Sequence, residues 1–193
     1  AIYLSVLPGD FVLPGKPVAY LTQNSGEAPE PEQAAAVLRK ACVIAKHRTF
    51  DEDPSFGLVV LSEIASRALS PAVNDPGTAV AIIRSHVSLL TLWHQARRHK
   101  ASHTLYPHIY IPDRPETHLF DQAFDAICRD GAAMKEVIIA LIEGLEALAR
   151  VDALSYQRIA EQKTRLALTY AEQSLRISEE LAAVKRAASW VKD

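Results

Sequence analysis

From residue 31 to residue 190, apolar side chains return every three or four positions in six successive runs. That periodicity leaves little room for any architecture but a helical one. The first run, 31–46, opens on Pro31, which suits a first helical turn, and sets Ala34, Val37, Leu38, Ala41 and Ala45 on one face. The second, 54–69, aligns Phe56, Val60, Leu61, Ile64 and Ala68. The third starts at Pro76 and extends to about His99. There Val80, Ile83, Val87, Leu90 and His94 form one face, and Ile82, Leu89 and Trp93 add a second, which predicts a central helix buried over much of its circumference. Runs over 117–130 (Phe120, Ala123, Phe124, Ile127, with Gly131 as a cap) and 132–149 (Met134, Val137, Ile138, Leu141, Leu145, Leu148) follow. Asp152 is placed to cap a last helix over 153–190. Unbroken, that helix would reach about 55 Å. Such a length would have to lie along the whole bundle or pair with another subunit.

The first 22 residues read differently. Pro8-Gly9-Asp10 and Pro14-Gly15-Lys16-Pro17 are turn signals between β-compatible runs. The shape is similar to the hairpins of lipoyl- and biotinyl-type domains, but Lys16 lacks the turn in which those domains carry their cofactor. Residues 106–112, with a proline near each end, read as one edge strand. The expected fold class is mainly α (α+β). A small β unit over 1–22 and a polar linker over 23–30 precede a helical domain over 31–193, with about six helices and a long C-terminal one.

Half of the 193 residues are apolar (49%) and the net charge is -2, so the composition is that of a globular domain with no basic excess for nucleic acid. No apolar run approaches the 18 or so residues of a membrane span. The chain lacks an initiator methionine and begins inside a strand-like run, from which a longer protein is expected. Cys42 and Cys128 sit among apolar neighbours without CxxC spacing, as buried thiols of a reducing compartment do. Six histidines (86, 94, 99, 103, 108, 118) crowd one region. His99 and His103 have i,i+4 spacing, but no Glu-x-x-His accompanies them, so surface or helix-end positions are expected rather than a metal. No P-loop, Gly-x-Ser-x-Gly or Gly-x-Gly-x-x-Gly is present, and no cofactor is expected.

The stretch from 48 to 78 concentrates polar residues around one short apolar helix. Asp53-Pro54 and Asp75-Pro76 are helix starts, Ser70-Pro71 is a stop, and Glu63 and Arg67 have favourable i,i+4 order. Arg67 is also in reach of the Asn74-Asp75 turn. The acidic trio Asp51, Glu52 and Asp53 has hard-cation chemistry, but adjacent carboxylates in a capping turn face different ways. Arg48 at a helix start could meet phosphate or carboxylate. The candidate ligand-binding residues are therefore Arg48, Asp51, Asp53, Arg67, Asn74 and Asp75. A helix of 16 residues, about 24 Å long, separates the first three from the last three. One site would need a third helix, a sharp crossing or a second subunit.

The pattern over Arg48, Thr49, Phe50, Asp53, Phe56, Gly57, Leu61, Ile64, Ala65, Arg67, Ala68, Leu69, Ser70, Pro71, Asn74, Asp75, Pro76, Thr78 and Ala79 resembles the bacterial predicted membrane proteins called domain of unknown function 2254. Pro8-Gly9-Asp10-Phe11-Val12 and the segment from Phe120 to Ile127 fit as well. The resemblance implies N-terminal membrane helices followed by this soluble portion, and it brings no established activity. Two readings follow. In one, the chain is a soluble domain, on the cytoplasmic side of the cell membrane, that senses, gates or assembles. Its partners would be its own membrane helices and further copies of itself. In the other, it is a hydrolase acting on a small phosphorylated or acidic molecule at an Arg/Asp/Asn site in 48–78.

Overall fold

Strands Ile2–Leu4 (β1) and Ala19–Leu21 (β2) pair antiparallel, with Ile2 opposite Leu21, as the two turn signals require. Ile109–Tyr110 (β3) lies parallel to β1 on its other side, giving the order β2-β1-β3 and the expected edge strand. Tyr3 thus sits between Tyr20 and Tyr110, and its ring stacks on that of Tyr110 at 4.5 Å. This computed structural model describes residues 1–22, 30–53, 55–99 and 106–191. Residues 23–29 of the expected linker, the helix-initiating Pro54, and His103 lie outside them. Two compact units are present, Ala1–Phe56 with Ser102–Arg114 and Gly57–Ala101 with Pro115–Asp193.

In the first unit, helix Pro31–Ala41 (α1) starts at the expected proline but stops short of residue 46, because Cys42 turns extended (φ -105°, ψ 116°). The β-branched pair Val43-Ile44 follows, and no residue of α1 is buried, so packing does not offset their poor helix propensity.

Six further helices follow: Ser55–Ala68 (α2), Pro76–His99 (α3), Glu116–Asp130 (α4), Lys135–Val151 (α5), Tyr156–Ser174 (α6) and Ser178–Ala187 (α7), the last running into a 3-10 turn over Ala188–Trp190. The core of the second unit is built round α5, whose Val137, Ile138, Leu141, Ile142, Leu145 and Leu148 are fully buried. Helices α3, α6 and α7 pack on it. At Gly144 a Cβ would fall 2.9 Å from Val87 Cγ2, so glycine is what lets α3 approach there.

Three expectations are corrected. The buried positions of α2 are Ser55, Leu58, Ser62, Ala65 and Ala68, continued by Leu69 just past its end; of the expected stripe Ala68 is buried, whereas Ile64 is 43% exposed. Both stripes are apolar, and the inward one carries the Ser62 hydroxyl, which donates to the carbonyls of Gln122 (2.7 Å) and Ala123 (2.9 Å). His86 and His94 are buried rather than superficial, and pack against Phe124 and Tyr156. The long last helix is broken. Leu175 leaves it (φ -80°, ψ 120°), and α7 turns back onto α5, with Lys135–Glu180 (3.6 Å) and Lys185–Glu172 (2.6 Å) tying it down. Glu179 and Glu180 suit the new N-terminus. Asp152 closes α5 and, as expected, also caps the start of α6. Its Oδ1 accepts the Leu154 amide (2.8 Å), and its carbonyl accepts those of Tyr156 and Gln157. No described helix is long and apolar enough to cross a membrane.

Because Leu141 has no exposed surface, Leu141→Ala should cost about 2–5 kcal/mol in urea unfolding. Leu154→Ala, at a side chain 94% exposed, should stay within about 0.5 kcal/mol.

Candidate functional site

Arg48 and Asp53 meet, and the fold closes over them. Asp53 is buried. Its Oδ2 accepts from Arg48 Nε (2.8 Å) and from Arg48 Nη2, while its Oδ1 accepts from the Ser55 hydroxyl (2.6 Å) and amide (3.2 Å). The capping chemistry expected of Asp53 is therefore realised at the start of α2. The Arg48 guanidinium also lies 4.8 Å from the centre of the Phe56 ring, on which Phe50 stacks at 4.9 Å.

The lid of this pair is the Pro8-Gly9-Asp10 turn. Gly9 has φ +85°, and a Cβ there would fall 1.8 Å from Asp53 Oδ2 and 3.1 Å from Arg48 Nε. Only glycine fits, for conformation and for space alike. A second pair clamps the same turn: Arg114 donates to Asp10 Oδ1 (2.9 Å) and to the Pro8 carbonyl (3.3 Å). Burial by itself would raise the Asp53 carboxyl, but the hydrogen bonds from Ser55 and Arg48 and the charges of Arg48 and Arg114 outweigh it and hold it below the usual carboxylate range. An ionised, fully engaged carboxylate of this kind positions backbone; it is not poised to move a proton.

The other candidates fall elsewhere. Asp51 and Glu52 are exposed, and no group of acidic, histidine or cysteine side chains among the described residues could hold a metal ion. Arg67, Asn74 and Asp75 belong to the second unit. Asp75 caps α3, accepting the Thr78 hydroxyl (2.5 Å) and amide (3.0 Å), which hold its carboxyl below the usual range. Asn74 adopts φ 50°, the left-handed region in which asparagine is the best tolerated residue after glycine. Its amide donates to the Ser70 carbonyl (2.8 Å), and the Asp75 amide to that of Ala68 (2.8 Å), which sets the corner between α2 and α3. Arg67 is exposed and forms neither the bridge to Asp75 nor the pair with Glu63 among the described residues. It lines a groove of ≈ 660 Å³ between α2 and α4.

No other reactive group stands out among the described residues. Both cysteines are free, and only Cys128 is fully buried. Burial pushes its thiol up to about 12, far from a thiolate. Burial pulls His86 down to about 4, so its ring is neutral at physiological pH. Gly9, Ser55 and Arg114 are partners that the spacing of the 48–78 motif did not reveal. The signal for Gly9 was its place in a Pro-Gly-Asp turn, while nothing local marks Arg114.

The arrangement defines a mainly helical protein with a small sheet, in which a charged motif is largely taken up by turns and helix starts. The chain belongs to the predicted membrane protein family DUF2254, whose model matches residues 1–147. It is 33% identical over 132 residues to uncharacterized protein Rv1290c of Mycobacterium tuberculosis and, at the same identity, to uncharacterized protein Mb1321c of Mycobacterium bovis. Each match covers 65% of this chain and 24% of the relative. No solved structure matches.

Two outcomes follow for the first unit. Gly9→Ala should speed amide exchange in β1 about tenfold or more, because the turn cannot keep its conformation; unchanged protection would contradict the contact. The acid limb of stability carries a second. Asp53 has a folded pKa below its unfolded value of about 3.9. Its contribution is thus complete above roughly pH 5 and is lost as pH falls through the folded value. Wild type should lose more stability between roughly pH 5 and pH 2 than Asp53→Asn. Parallel acid curves would exclude the pair as a stabiliser.

Proposed function

We propose that this chain is the water-facing assembly module of a bacterial integral membrane protein, on the cytoplasmic side of the cell membrane. It joins copies of that protein through homo-oligomeric contacts and bears on its membrane helices, so that sensing or gating would act through it. The observation that carries this reading is apolar surface without cover. Helix α1 buries none of its residues, Val37 is 68% exposed, and Val43 and Ile44 just beyond are 89% and 77% exposed. Uncovered apolar surface on this scale marks a contact surface. A hydrolase would need its acid free to act, and Asp53 has both oxygens engaged by Arg48 and Ser55. The assembly reading is the one the geometry favours.

The test uses the full-length membrane protein in detergent. Removing the segment that corresponds to this chain should convert an oligomer to monomers. A segment-deleted protein that keeps its oligomeric mass would contradict the proposal.

A further inference from the structure

Helix α2 presents a second apolar stripe away from the core. Leu58, Ser62, Ala65 and Leu69 point inward. At 100° per residue, Gly57, Val60 and Ile64 fall on the far side, with Glu63 and Arg67 beside them. Ile64 is 43% exposed, and a Cβ at Gly57 would meet nothing within 4 Å. A helix apolar on both sides normally has neighbours on both sides. A glycine inside a helix costs up to about 1 kcal/mol relative to alanine, and it gives another backbone room to approach.

The charges say what that neighbour is. Around the groove beside this stripe, Asp121 and Asp125 are bridged by Lys163, and Arg129 is held by Asp130. Glu63 and Arg67 form no ion pair among the described residues, although their order on the helix favours one. Opposite charges one turn apart on a single helix are self-complementary under a twofold axis. Antiparallel packing of two α2 helices about an axis near Ile64 sets Glu63 of one copy against Arg67 of the other, twice, with Ile64 against Ile64 between them.

We infer that the outward face of α2 is a twofold docking surface for a second copy of this chain, closed by reciprocal Glu63–Arg67 pairs over Val60 and Ile64. This rests on the assembly reading above and gives Arg67 an ion-pair partner that it lacks among the described residues of one copy.

The experiment is sedimentation equilibrium of the 193-residue chain up to about 1 mM, with Glu63→Arg, Arg67→Glu and the double swap, each checked for unchanged helix content. The wild type should dimerise. Each single reversal should weaken the dimer by about tenfold or more, since like charges then face each other at two symmetric places. The double swap should restore it to within about threefold. Ile64→Asp, folded because the side chain lies outside the core, should be monomeric. A wild-type dimer indifferent to all four variants would overturn the α2 surface while leaving oligomeric assembly standing. A wild type monomeric throughout would overturn both. A double swap no tighter than the single reversals would overturn the reciprocal pairing.

Discussion

The second unit depends on the broad buried face of one helix, α5. Helix α5 loses all exposure at Val137, Ile138, Leu141, Ile142, Leu145 and Leu148, while Glu136, Glu143, Ala147 and Arg150 keep its other side in water, so a broad apolar arc must be filled by neighbours. That demand accounts for the neighbours. Helix α3 comes close enough for a glycine at 144 to be needed, and α6 runs alongside. The chain then leaves helical geometry at Leu175, and α7 covers more of that apolar face. A straight helix to residue 190 would carry Val184 and Ala188, both buried here, out beyond any partner. Burying an aliphatic side chain is worth about 1.5–3 kcal/mol. A break that recovers several of them outweighs the few backbone hydrogen bonds lost where α6 ends.

The charged motif obeys a different constraint. A carboxylate taken out of water needs its lone pairs met, or it costs several kcal/mol. Asp53 meets this with a guanidinium, a hydroxyl and an amide, and a glycine turn sits directly on top. A catalytic acid also sits near arginine and serine, which is why the residue types alone read either way. What separates the cases is occupancy of the oxygens. Asp75 and Asn74 have equally local roles, one as a cap and one as the residue that tolerates left-handed backbone. Arg67 differs from Arg48 in forming no side-chain ion pair among the described residues.

Much of this was legible from the residues. The 3-4 spacing of α3, α4 and α5 located those helices to within a few residues, because long periodic runs with strong end signals leave few alternatives. The hairpin and the edge strand followed from turn residues and prolines. Where reading failed, the reason was tertiary. Helix α2 is apolar on two sides, so periodicity could not say which one faced inward. The α6–α7 break carries neither proline nor glycine, and the heptad-like spacing runs straight through it. Histidine is amphipathic, and its composition-level prior points outward, yet His86 fits a core slot beside Phe124. Arg114 reaches the Pro8 turn across 106 residues, a pairing no local pattern encodes.

That Arg48 and Asp53, the paired charges of the motif, serve the fold is tested by a double-mutant cycle on the two residues. Unfolding free energies of wild type, Arg48→Met, Asp53→Asn and the double variant near neutral pH isolate the pairwise energy. A favourable coupling of about 1–3 kcal/mol is expected. Additive single losses, with no coupling between the two positions, would contradict it.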